Sequence, residues 1–253
     1  MMKTFCKWLL IALFWLTLWW LAATFLVKQE LLLPSPIRVL TRLGELASQG
    51  EFWLITLTSL LRIFSGILCA VLLGILCGIV TAYIPFLREL LSPILTIIKA
   101  TPVASFIILA LVWISRGKLP IFISALMVIP IIWTNVEQGI RQIDPQLMEM
   151  ARVFRFSRAK KLFHIMIPSV LPYFAAACKT SLGLAWKAGI AAEVLSTPKN
   201  SIGKELFESK TFMETTDVFA WTVTVILLSI CIERLFFALL RLLTRKKHTG
   251  GML

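Results

Sequence analysis

Charge is scarce in this chain. Only 15% of its 253 residues are Asp, Glu, Lys or Arg, against roughly 25% in ordinary soluble domains. At that composition a soluble fold lacks polar surface to cover its core. Histidine is nearly missing. His164 and His248 sit in basic segments, with no Cys, Asp or Glu at ligand spacing. The five cysteines, Cys6, Cys69, Cys77, Cys178 and Cys231, are scattered with no CxxC pair. They read as small buried hydrophobes, which excludes a disulfide frame or a metal site. There is no G-x-x-x-x-G-K-[ST] loop, because Gly117-Lys118 lacks the earlier glycine and the following hydroxyl. The chain is thus expected to hold no nucleotide, metal or other cofactor of its own. A polytopic membrane enzyme would need convergent His, Asp, Glu or Ser groups. Two histidines in loops and few interior carboxylates argue against one.

What the chain does have is apolar length. It is 58% hydrophobic, with a mean hydropathy of +0.88. About 20 consecutive apolar residues span a bilayer as a helix, and lipid forces the backbone to satisfy itself internally. The expected fold is all-α, with about six membrane-spanning helices. Trp8 to Val27 reads as the first span, not a cleaved signal. The others are expected at Leu54–Ile84, Leu90–Ile114, Pro120–Ile140, from Pro168 to Leu195, and Val218–Leu243. After Leu33-Pro34-Ser35-Pro36, apolar residues at Ile37, Leu40, Leu43 and Leu46 predict an amphipathic surface helix. Gly66, Ala70, Gly74 and Gly78 recur every fourth residue, a spacing that lets another helix approach closely. Pro93 and Pro102 are expected to kink the third span. A polar loop is expected from Ser196 to Asp217.

The net charge of +13 would raise nucleic acid as a partner in a soluble protein. Here the basic residues cluster between apolar runs, as topology demands, and no nucleic acid is expected. Threading six spans from an inside N-terminus puts thirteen basic residues inside and eight outside. Both termini then come out cytoplasmic, including the basic tail Arg245-Lys246-Lys247.

The longest interior polar segment, Arg141 to His164, carries six basic residues. Asp144-Pro145 predicts a helix start there. Within it, Glu149-Met150-Ala151 is followed after three residues by Arg155 and after nine more by Ile165-Met166-Ile167-Pro168. This resembles the cytoplasmic coupling loop of importer permeases, whose pattern is E-A-A, three residues, Gly, nine residues, I-x-L-P. Met150 replaces the middle Ala, Arg155 stands at the Gly, and Ile167 replaces Leu. Further stretches recur in order: Ser59-Leu60-Leu61-Arg62, Thr101-Pro102-Val103-Ala104, Gly183-Leu184-Ala185-Trp186 and Ala191-Ala192-Glu193. Together they resemble the nitrate/sulfonate/taurine-type branch of binding-protein-dependent ABC importer permeases, over roughly residues 30 to 245.

That resemblance implies a division of labour. Residues 1–53 would form the N-terminal span and external segment. Residues 54–245 would form the transporter domain, with its coupling loop at about 141–167, and 246–253 a cytoplasmic tail. A cytoplasmic ABC ATPase dimer, binding ATP and Mg, would dock at Glu149, Ala151, Arg155, Ile165, Ile167 and Pro168. An extracytoplasmic binding protein would deliver a small anionic organic or inorganic solute, and a second permease copy would complete the pathway in a bacterial inner membrane. The transmembrane component of a vitamin or vitamin-precursor (pyrimidine-type) importer is the alternative.

Charges inside proposed spans cost about 2.5–3.5 kcal/mol each at mid-bilayer. Arg62 and Glu137, near span ends, are expected to reach the headgroups. On the fifth span, Lys179, Gly183, Trp186, Ile190 and Glu193 share one stripe, with Thr180 and Lys187 beside it. Lys99, Thr101 and Pro102 mark the third span. Lys99, Thr101, Pro102, Lys179, Trp186, Lys187 and Glu193 are therefore candidates for the translocation pathway. The same cost would equally be met by a buried ion pair, Lys187 with Glu137 or Glu193.

Overall fold

The computed structural model describes residues 2–27, 29 and 31–245. The basic tail at 246–253 lies outside the described residues. Among them the chain is helical, with no strand.

The first apolar run is an α-helix, α1 (Met2–Leu21), continued by a π-helical stretch over Ala22–Val27. Then come α2 (Pro36–Ala47), α3 (Gly50–Tyr83), α4 (Pro85–Ala100), α5 (Val103–Ala110) and α6 (Leu119–Arg141). They are followed by α7 (Pro145–Val153), α8 (Arg158–Lys161), a π-helical stretch over Leu162–Met166, α9 (Ile167–Ser196), α10 (Ile202–Thr211) and α11 (Thr215–Arg245). Among the described residues, four helices are long and apolar enough to cross a membrane, or five if α4 and α5 together count as one.

Two compact units divide the chain. The first comprises Met1–Ser59 and Thr197–Leu228. Here Ser35 caps α2, and Arg42 grips Asp217 with two bonds of 2.7 and 2.8 Å. That bond, with Glu45 beside it, holds the Arg42 guanidinium above its ordinary pKa. The inward side of α2 is Val39 and Leu46, whereas Ile37 and Leu40 are exposed. The apolar stripe expected from spacing is thus split between two faces. The expected loop after Ser196 contains α10. Ser201 caps it, its hydroxyl accepting from Lys204 N–H at 3.1 Å, and Ile202 N–H donates to Ser59 Oγ at 2.9 Å. The Ser201 cap and the buried Ile202 anchor this polar stretch.

The second unit comprises Leu60–Ser196 and Ser229–Leu253. Its centre is α6, packed on α9. Ala70, Val128, Ile132, Ala177 and Ala185 form one buried cluster, and Ile107, Ile123, Met127, Ala188 and Ala192 another. The small-residue stripe of α3 faces α6. A Cβ on Gly66 would run into the Ile121 carbonyl, and one on Gly74 would lie 2.8 Å from Ile132 Cβ. Only glycine permits that approach. The opposite side of α3 exposes Leu61, Leu68, Leu72 and Leu76, an apolar exterior suited to lipid. Cys69 and Cys231 are exposed too, so the expectation of buried cysteines holds for Cys178 and not for these two.

The third expected span is broken, not merely kinked. α4 and α5 meet at 103°. Pro102 biases the residue before it away from helix, and Thr101 is extended at φ −82°, ψ 131°. Pro93, by contrast, sits inside an unbroken α4.

Candidate coupling and translocation sites

α7 begins at the expected place. The Asp144 side chain accepts from Gln146 N–H at 2.8 Å, and Pro145 occupies the first turn, where no N–H is required. The helix stops through a paired motif. Phe156 N–H donates to the Ala151 carbonyl at 2.9 Å and Arg155 N–H to the Arg152 carbonyl at 3.1 Å. That motif places one residue in the left-handed region, normally glycine. Arg155 holds it here, with φ 49°. The departure at Arg155 therefore keeps the turn and adds strain.

Ser157 caps α8, accepting from Lys160 N–H at 3.3 Å. The chain then widens into the π-helical stretch and continues as α9, so Arg158–Ser196 is one helix of 39 residues. Pro168 has no N–H to give, and its ring crowds the carbonyl four residues back. The wider π turn just before it accommodates that ring. Of the six coupling candidates, Ala151 and Ile165 are buried, Pro168 is half-buried, and Glu149, Arg155 and Ile167 are exposed. Val153, Phe154 and Phe163 beside them are exposed as well.

The pathway candidates divide. On α9, Trp186 and Glu193 are buried, at 1% and 0% exposure. Lys179, Thr180 and Lys187 are exposed, and Lys179 Nζ lies 5.2 Å from the Phe237 ring centre. The stripe read from the sequence is thus split between the interior and the surface. The expected ion pairs also change partners. Glu193 meets Arg62 Nη1 at 3.7 Å, and Glu137 meets Arg88 at 2.8 Å and Arg141 at 3.8 Å. Lys187 takes neither carboxylate. Arg62 and Glu137, expected to reach headgroups, instead form interior contacts.

Glu137 anchors a network that spacing did not reveal. Trp133 Nε1 donates to Thr81 Oγ1 at 2.8 Å, and that hydroxyl lies 3.0 Å from Glu137 Oε2. Three helices, α3, α4 and α6, thereby converge on one carboxylate. Beside it opens a polar cavity of about 450 Å³, lined by Arg88, Lys99, Glu137 and Arg141 with Ser, Thr and Gln side chains. Lys99 is thus placed at a cavity, and Thr101 and Pro102 at the break between α4 and α5. The signal was present in the sequence: Arg88, Ser92, Thr96 and Lys99 repeat at helical spacing.

Residues 70–248 match the family model described as binding-protein-dependent transport system inner membrane component. The chain belongs to that family. It is a multi-pass membrane protein with the role of an ABC transporter permease. The taurine transport system permease protein TauC of Escherichia coli K12 is 27% identical over 235 residues, 90% of this chain and 85% of the relative. The nitrate import permease protein NrtB of Synechococcus elongatus is 36% identical over 140 residues, 55% of this chain and 50% of the relative. These are relatives of the branch that the motifs resembled. A crystal structure of an amino acid ABC transporter with histidines shares the permease fold, with TM-score 0.56 and 16% identity over 76% of this chain and 94% of that one.

Proposed function

We propose that this permease imports a small organic or inorganic anion, driven by a partner ATPase that binds ATP and Mg and docks on α7 and α8. The observation that carries the reading is the continuity of Arg158–Ser196. A partner that moves α8 moves α9 with it, because no flexible joint intervenes. The exposed Val153, Phe154 and Phe163 suit burial against such a partner, and Glu149 offers it a charge. The exposed Lys179 and Lys187 on α9 favour an anion. A pair of permease copies, taken as a homodimer, would present Lys187 twice to a central pathway. Trp186 and Glu193, being buried, support the α9 wall instead of touching solute. A binding protein outside the cell delivers the solute. Six spans, counting α1 and the broken α4–α5 pair, put both termini and the coupling loop in the cytoplasm.

The test is uptake by the complete transporter in proteoliposomes, beside ATPase co-purification. Glu149→Lys is expected to abolish ATP-driven uptake while the permease still inserts, and a cysteine at Ser157 to crosslink to the ATPase. Lys187→Ala is expected to cut uptake at least tenfold in a stable complex. Full uptake by Glu149→Lys, with no crosslink, sinks the coupling assignment. Full uptake by stable Lys187→Ala sinks the pathway role. A reporter fused at Lys204 that reads as cytoplasmic sinks the six-span topology.

A further inference from the structure

The cavity between α4 and α6 has a composition that packing alone does not require. Two polar stripes face it. One is Arg88, Ser92, Thr96 and Lys99 on α4; the other is Thr134, Gln138 and Arg141 on α6. Each follows the three- and four-residue spacing that keeps side chains on one helix face. Among the lining residues three cations stand against one carboxylate. Glu137 is held by Arg88 at 2.8 Å and lies 3.8 Å from Arg141, so its single charge is already shared. Lys99 is exposed to the cavity and has no ion pair among the described residues. It lies about 16 Å along α4 from Arg88, so the positive charge runs the length of the cavity. A cleft lined by excess charge of one sign concentrates ions of the other sign. The volume of about 450 Å³ falls within the roughly 300–1,000 Å³ of small-molecule sites.

We infer that this cavity binds a small oxyanion of the nitrate, sulfonate or carboxylate type. Lys99 and Arg141 supply charge, and Gln138 donates hydrogen bonds to the oxygens. Arg88 stays on Glu137 and fixes the wall. The site deepens the proposed anion transport and rests on that reading. It lies at the end of α6 that leads into α7, so in the proposed topology it is an inner station on the route.

Cysteine chemistry tests it without requiring transport. Thr96→Cys is made in full-length chain with Cys6, Cys69, Cys77, Cys178 and Cys231 replaced by alanine, and probed in inside-out membrane vesicles. Ser92→Cys serves if Thr96→Cys does not insert. The rates with a sulfonate-bearing and a trimethylammonium-bearing methanethiosulfonate are compared, each normalised to a free thiol. The anionic reagent is expected to be favoured at least fivefold, and Lys99→Gln with Arg141→Gln to erase that preference. Nitrate or ethanesulfonate, but not choline, is expected to slow the modification. An anionic preference at or below that of the free thiol overturns the site. So does a preference that neither probe anion diminishes, which would mark a charged surface and no binding. Protection in a protein that carries no anion would defeat the transport reading and leave the site standing. Anion uptake without protection would do the reverse.

Discussion

Arg88 on α4 pairs through Nε with Glu137 on α6 at 2.8 Å, an ion pair between residues 49 positions apart in sequence. Glu137 is mostly buried and Arg88 half exposed, at 11% and 51% side-chain exposure. The carboxylate therefore depends on the contact more than the guanidinium does, which water can reach. Thr81 supplies a hydrogen bond to the same carboxylate.

The first prediction is a charge exchange across that pair. Arg88→Glu sets two carboxylates together and is expected to lower the melting temperature of the purified permease. Arg88→Glu with Glu137→Arg should recover part of the loss. Glu137→Gln keeps an acceptor for Thr81 and should cost less than Glu137→Ala. Equal thermal stability of Arg88→Glu and the parent protein would show that the pair contributes nothing.

A second prediction concerns the stop of α7. Arg155 holds φ 49°, a conformation that costs an L-residue roughly 1–2 kcal/mol and glycine much less. Arg155→Gly should therefore stabilise the turn by about 1 kcal/mol. Arg155→Val should destabilise it, because a β-branched side chain suits the left-handed region least. Hydrogen exchange over residues 150–157 reads the effect. Faster exchange in Arg155→Gly than in the parent would contradict the assigned geometry.

The third prediction separates glycines that pack from those that do not. Gly74→Leu forces side-chain atoms into Ile132, already 2.8 Å from where a Cβ would sit. Overpacking of this kind costs about 1–3 kcal/mol, so the yield of folded permease should fall. Gly44 on α2 has open space around its Cβ position, and Gly44→Ala should gain up to about 1 kcal/mol through helix propensity. Size-exclusion profiles of the two variants decide the matter. Matching profiles would mean that α3 and α6 do not approach as described.

Much of this protein could be read along the chain. Apolar runs of spanning length marked α3, α6, α9 and α11 to within a few residues, because lipid leaves helix as the one local solution. The four-residue repeat of small side chains marked the face of α3 that meets α6. Asp144-Pro145 marked the start of α7, since that signal depends on neighbours in sequence. Tertiary structure alone decided the rest. Spacing placed Pro102 in a kink, but the 103° turn needed α5 to find its own packing on α6 and α9. Helical periodicity put Lys187 and Glu193 near one another on a helix, yet the carboxylates chose Arg62 and Arg88 on other helices. Ion pairing depends on which helix faces which across the bundle, and local spacing carries no record of that. The polar cavity beside Lys99 follows for the same reason: its two stripes are visible one at a time in the sequence, and only packing brings them face to face.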